Sequence, residues 1–365
     1  MMNRRRFVTV SGASAAASLA SRPVAGAAPQ RALMKLGCQS EPTNETHLKY
    51  FARYGVRNIC GYPEIAGDRI YATVEELMRM RELAEKNGIT VDCIAPPILA
   101  SSHIDQEKHP AIMLGQSPER DRDIESLQTM IKNCAAAGIP SIKYNMSLLG
   151  VVRIADTPGR GDATYSTWRL KEAHPKTPLT RAGRVDADTA WERITYFLDR
   201  VIPVAEEYKV RMACHPHDPG VPPEGYQGVV RVLGTVDGLK RLVSIKESPY
   251  HGLNFCQGTV SEMLNNPGTE LFDVIRYFGS PGKIFNVHFR NIRGHRDDFV
   301  ETFPDEGDVD FVKAIQVYKE IGYPYLLMPD HVPHAVNDPG GLQSFAYCYG
   351  YIRALIQSVD QMGRA

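Results

Sequence analysis

Eight times the chain alternates a short apolar run with an amphipathic stretch, and this alternation limits the folds open to it. Residues 34–38, 56–60, 89–94, 141–145, 211–215, 252–256, 284–289 and 325–330 read as strands. Helical spacing of apolar residues predicts helices over about 43–54, 73–87, 117–138, 188–208, 235–244, 270–278, 308–321 and from Gln343 onward. Gly55, Gly88 and Gly138 punctuate the ends of the first three. Ser117 and Pro118 read as the cap and first residue of the third. Strands separated by helices of this length form a parallel sheet with helices outside. Eight such units predict an α/β fold closed into a (β/α)8 barrel. The rival, an open doubly wound sheet, lacks support because no Gly-rich turn follows the first strand to hold a nucleotide.

Four consecutive strands of the second half end in a metal-ligand side chain. Arg211-Met-Ala-Cys-His215 ends in an imidazole and is stopped by two prolines, Gly252-Leu-Asn-Phe-Cys256 in a thiol, Ile284-Phe-Asn-Val-His288 in an imidazole, and the last run in Asp330 followed by His331. A lone strand histidine or cysteine is more often packing or a structural hydrogen bond. Four together at the tips of adjacent barrel strands point to one shared divalent metal. Imidazole, thiolate and carboxylate suit Zn²⁺ or Fe²⁺, with Mn²⁺ admitted by the oxygen donor. Two connections are too long for turns, from Ala95 to about Gln116 and from Met146 to about Val185, the second containing Tyr165 and Trp168. Both leave the C-terminal strand ends, where barrel active sites sit, and read as binding loops or a lid. The second is expected to bring Arg153 or Trp168 near the metal.

The N-terminus carries Asn3-Arg-Arg-Arg-Phe7, a weakly apolar Ala/Ser-rich run and Ala25-Gly-Ala27. It reads as a signal for export to the periplasm over residues 1–27, and the paired arginines resemble a twin-arginine signal. Residues 28–365 then form a single barrel domain. Removing four arginines and no acid with that segment leaves 38 basic against 42 acidic side chains, a net charge of −4. Such a balance suggests neither a nucleic-acid nor a membrane surface, and leaves a homo-oligomer open. Cys38, Cys60, Cys93, Cys214 and Cys256 lie inside apolar runs and the total is an odd seven, so no disulfide framework is expected.

Beyond the strand tips, the chain carries Lys143-Tyr-Asn145, His215-Pro-His-Asp-Pro219, Leu233-Gly-Thr with Gly238-Leu-Lys-Arg-Leu242, Gly252-Leu-Asn-Phe-Cys-Gln-Gly258, His288-Phe-Arg-Asn291, Gly307-Asp-Val-Asp310 and Pro329-Asp-His331. In these motifs, from about Lys35 to Ile356, it resembles the mannonate dehydratases, a family of xylose-isomerase-like barrels. The resemblance implies Mn²⁺ or Fe²⁺ held by His215, Cys256, His288 and Asp330. It also implies conversion of a small sugar acid, D-mannonate, to 2-keto-3-deoxy-D-gluconate and water. For such an elimination His331 is placed to act as acid or base, or else to orient Asp330. Arg290 offers a planar fork for the substrate carboxylate, or else a barrel-mouth ion pair. Tyr144 and Asn145 read as binders of sugar hydroxyls or as filling of the barrel mouth. Arg153 is similar to a family arginine expected to reach the substrate pocket, and His217 is expected at the same substrate.

The chain also departs from the family pattern. His217 replaces an acid, and Pro304 stands where a histidine follows Phe299-Val-Glu301. Val332-Pro333 replaces a Gly-Arg pair. A family tyrosine falls near Gly340–Gly341, with Tyr347, Tyr349 and Tyr351 only later. Two other readings therefore stand beside the dehydratase: a metal-dependent sugar isomerase or epimerase, and a sugar-binding barrel without catalysis.

Overall fold

The computed structural model describes residues 31–174, 176 and 178–362. The export reading falls outside them. In chain order the strands are β1 (Lys35–Ser40), β2 (Asn58–Gly61), β3 (Thr90–Ile94), β4 (Ser141–Asn145), β5 (Ile154–Pro158), β6 (Ala163–Arg169), β7 (Arg211–His215), β8 (His251–Cys256), β9 (Ile284–His288), β10 (Asn291–His295), β11 (Asp298–Thr302), β12 (Leu326–Met328) and β13 (His334–Ala335). Eight of them close a parallel barrel in the order β1-β12-β9-β8-β7-β4-β3-β2. These are the eight apolar runs of the sequence, in sequence order around the ring.

Alternation along each strand sorts the side chains. Cys60, Cys93, Leu326 and Met328 cluster apart from the main core, as a plug within the barrel. The opposite faces of the strands meet the helix layer. There Phe255 packs on Phe278 and Tyr144 on Phe197, with all four rings buried. The helices Val74–Lys86, Ala187–Tyr208 and Val236–Ile245 start on the Thr73, Asp186 and Thr235 side chains, each accepting from a backbone N–H three residues on. The helix Glu119–Ala136 differs from the sequence expectation. Pro118 is its cap position and makes no side-chain cap, while the Ser117 hydroxyl bonds the Asp121 carboxylate.

The long connections carry structure of their own. The first folds into the rim of the barrel mouth, includes the short helix Ala111–Leu114, and bonds Leu99 O to the Asn145 N–H at the tip of β4. In the second, β6 is the centre of a small antiparallel sheet. It pairs with β5, with β11 of the hairpin that follows His288, and with β13 beyond His331. Trp168 is the buried centre of this cap, packed with Val221, Ile292 and Phe299. The sheet therefore ties the segments leaving three barrel strands, β4, β9 and β12, together over the C-terminal mouth. All seven cysteines are buried free thiols. No helix of the described residues is long and apolar enough to cross a membrane.

Candidate metal centre and acid–base site

His215, Cys256, His288 and Asp330 converge. One ligand atom from each lies within 4.8 Å of all the others. Each is presented by its strand tip and steered by a neighbour. His215 Nδ1 lies 2.6 Å from Pro216 O, so that nitrogen carries the proton and Nε2 keeps its lone pair. Burial pushes this imidazole down to about 4, which keeps it neutral, the form that binds a metal. His288 Nε2 lies 3.2 Å from the Asn254 amide, itself bonded to Asn286. Its Nδ1 is 3.2 Å from Asp330 Oδ2 without hydrogen-bond geometry, a buried nitrogen with no satisfied partner. The Thr259 N–H lies 3.4 Å from Cys256 Sγ, and the Thr259 hydroxyl 3.1 Å. Burial alone would raise this thiol, but the Arg290 guanidinium and His288 outweigh it and hold Cys256 below its usual value. Asp330 is held well below the carboxylate range: burial opposes ionisation, and His288 and His331 overcome it. Orphaned buried nitrogen, depressed thiol and ionised carboxylate in one cluster fit a divalent cation.

A second cluster stands beside the first. His331 Nδ1 lies 2.8 Å from Glu301 Oε2, and Nε2 lies 3.6 Å from Asp330 Oδ2. Burial would lower this imidazole, but Glu301 and Asp330 overcome it and push it up to about 10. Glu301 also accepts from Arg153, and Asp218 lies 2.6 Å from both Arg153 and Arg290. Glu262, fully buried, lies 2.8 Å from Arg290. Burial followed by the charge of Asp218 raises Glu262 well above the carboxylate range.

The structure sorts the alternatives the sequence left open for Arg290 and Tyr144 and turns His217 away from the expected substrate side. Arg290 does not present a free fork to substrate: it is buried, and Asp218, Glu262 and the Thr259 hydroxyl occupy its two terminal nitrogens. His217 is turned away from the pocket. Its ring bridges Met146 O and the Leu233 N–H, and burial pushes it down to about 3. Tyr144 borders the pocket, but its ring packs outward on Phe197. Asn145, by contrast, faces the cavity with a buried carbonyl oxygen that has no partner. The Arg153 guanidinium is engaged by Asp218, Glu262 and Glu301 of the neighbouring network, and Trp168 does not line the cavity. The later tyrosines lie elsewhere. Tyr347 packs on Phe303 and Tyr351, and Tyr349 on Phe51 and Phe345.

The cavity over the metal cluster has a volume of about 590 Å³ and is walled by the first long connection. Lys143 is the residue there whose role the sequence motif did not reveal. Its ammonium bonds Gln39 Oε1, and Gln39 Nε2 lies 2.7 Å from Asp330 Oδ1. No carboxylate pairs directly with Lys143 among the described residues, although Lys143 sits in the cavity wall beside the Tyr62 ring. Burial opposes its charge, and Cys60, Tyr62 and Asp330 outweigh burial and raise its pKa above the ordinary lysine value. An ammonium so placed is a seat for an anion.

Comparison with known proteins agrees with this geometry. The mannonate dehydratase of Thermotoga petrophila is 29% identical over 328 residues, covering 79% of this chain and 87% of that one. Mannonate dehydratase 2 of Halalkalibacterium halodurans is 29% identical over 286 residues, covering 70% and 78%. Among solved structures, the mannonate dehydratase of Streptococcus suis serotype 2 superposes with a TM-score of 0.76 at 22% identity, covering 90% of this chain and 94% of that one. A xylose isomerase domain protein from Planctomyces limnophilus superposes with a TM-score of 0.58 at 13% identity, covering 91% and 99%, which speaks for the fold alone. The family model for D-mannonate dehydratase (UxuA) matches residues 165–365. That span is more than half of the chain and contains all four ligand positions, so the chain belongs to the mannonate dehydratase family.

Proposed function

We propose that this protein is a metal-dependent hydro-lyase that converts D-mannonate, or a close sugar-acid relative, to the 2-keto-3-deoxy acid and water. The observation that carries the reading is the convergence of His215, Cys256, His288 and Asp330, with His331 pinned beside them by Glu301. Those four side chains would hold the ion, Mn²⁺ or Fe²⁺ by family and Zn²⁺ by donor type. When bound, such an ion supplies Lewis-acid stabilisation of negative charge on oxygen. The chain's own residues supply the rest. Lys143 and Asn145 seat the carboxylate and a hydroxyl of the acid. Glu301 fixes His331 through Nδ1 and leaves Nε2 to exchange a proton with the substrate. The C2 proton and the C3 hydroxyl are lost as water, and the resulting C2–C3 enol tautomerises to the ketone.

Incubating metal-loaded protein with D-mannonate and following the 2-keto-3-deoxy acid tests this. Solvent deuterium entering recovered sugar without dehydration would instead favour the isomerase or epimerase reading. Export to the periplasm through the twin-arginine route is a separate proposal, resting on Arg4, Arg5 and the Ala25-Gly-Ala27 segment. Retention in the cytoplasm of a full-length chain with an intact N-terminus would refute it.

A further inference from the structure

The reaction cavity has a neighbour. A second cavity, of about 570 Å³, lies on the other side of Val151, Asp330 and His331, which wall both. Each volume lies within the ~300–1,000 Å³ of pockets that take drug-sized ligands. The first is therefore already sufficient for one six-carbon acid, and the second is additional room at the acid–base histidine. Its walls suit a neutral polyhydroxylated ring. Phe345, held by stacking on Tyr349, supplies an aromatic platform. Ser166 from β6 and His334 from β13 add polar groups to its wall. Gly340 leaves the far wall open: a Cβ there would meet nothing within 4 Å. The cap sheet itself builds this lobe, since β6 and β13 pair across it.

We propose that the second cavity is a subsite for a glycosyl unit, and that the enzyme takes a sugar acid carrying a second sugar on a hydroxyl beyond C3. This rests on the dehydratase reading, with the acid end over the metal cluster. The chemistry asks for C2–H and a free C3 hydroxyl at that end only, so a substituent farther along the chain passes His331 and Val151 without blocking the elimination.

The test compares D-mannonate with a mannonate bearing a glucosyl group beyond C3, for metal-loaded wild type, Ser166→Tyr and His334→Ala. Both kcat/KM and calorimetric binding are measured. The expected result is a kcat/KM for the glucosylated acid at least tenfold above that for D-mannonate. Ser166→Tyr, which fills the lobe, should cut that ratio at least tenfold. His334→Ala, which opens rather than fills it, should cut it at least threefold, so the proposal stays testable if the tyrosine variant does not fold. A ratio near or below one in wild type, unchanged in the variants, overturns the subsite. If neither acid is dehydrated, the reaction assignment fails and binding alone decides the subsite. Tenfold tighter binding of the glucosylated acid, lost in the variants, supports it, and equal binding of the two acids refutes it.

Discussion

Replacing Arg290 by methionine distinguishes a structural cation from a substrate clamp. In the folded chain the guanidinium lies 2.6 Å from Asp218, 2.8 Å from Glu262, 3.5 Å from Glu301 and 3.7 Å from Asp330. The residue is 3% exposed. Methionine fills much of the space but leaves Asp218 and Glu301 with Arg153 as their remaining arginine. Breaking a buried ion pair from one side costs about 3–5 kcal/mol, because the partner charges stay buried. With an unfolding entropy of ~2.1 cal/mol/K per residue, about 330 ordered residues give roughly 0.7 kcal/mol/K, and the midpoint should fall by about 4–7 °C. The Cys256 thiol also loses the cation that does most to hold its pKa down, so metal affinity should weaken with stability. Differential scanning calorimetry and a metal titration read both effects. An unchanged midpoint and metal affinity with a raised KM would show that Arg290 binds substrate after all, and the argument from its partners would be wrong.

Three further outcomes follow from the same geometry. His331→Asn should keep near-wild-type metal content while turnover falls by about 10²–10⁴-fold, the scale of a general acid–base group; loss of metal in parallel would make His331 structural. Lys143→Met should raise KM for the sugar acid by about 10–100-fold, as a charged hydrogen bond of ~1.5–3 kcal/mol is lost, and an unchanged KM in steady-state kinetics would remove the carboxylate seat. Away from the site, Glu76 is pushed down to about 2, chiefly by its bond to Arg69 and against burial. Its folded value lies below the unfolded one, so its stabilisation is present above about pH 4.5 and is lost as pH falls towards 2. Wild type should therefore lose up to ~3 kcal/mol over that interval that Glu76→Gln does not, and parallel urea-denaturation stabilities from pH 4.5 to 2 would contradict it.

The barrel and its converging strand tips were legible because both are local signals. A buried parallel strand is a short apolar run, and a ligand placed where the run stops needs no knowledge of distant residues. The cap sheet was harder to read. Ala163–Arg169 is rich in β-branched and aromatic residues, Thr164, Tyr165, Thr167 and Trp168, a strand signature. It sits between Gly161 and Pro175 in a segment that reads as loop, and its partners come from 129 or more positions later on one side. The sequence left Arg290 open between two roles and put His217 at the substrate for a related reason. Spacing puts each beside a ligand, but neighbours distant in the sequence decide where the side chain goes: Glu262 and Asp218 for Arg290, Met146 and Leu233 for His217. The open second cavity was visible in sequence only as two glycines, Gly340 and Gly341, where the family carries a tyrosine. Tyr347, Tyr349 and Tyr351 do not fill that place.

The central claim is that one divalent ion is held by a thiolate, two imidazoles and a carboxylate from four neighbouring strands. X-ray absorption on the protein reconstituted with Fe²⁺ tests it most directly. The account predicts one ion per chain with a single sulfur donor at ~2.3 Å among nitrogen and oxygen donors at ~2.0–2.2 Å, the sulfur vanishing in Cys256→Ser. A stoichiometric ion with no sulfur in its shell, or the same spectrum in wild type and Cys256→Ser, would contradict it.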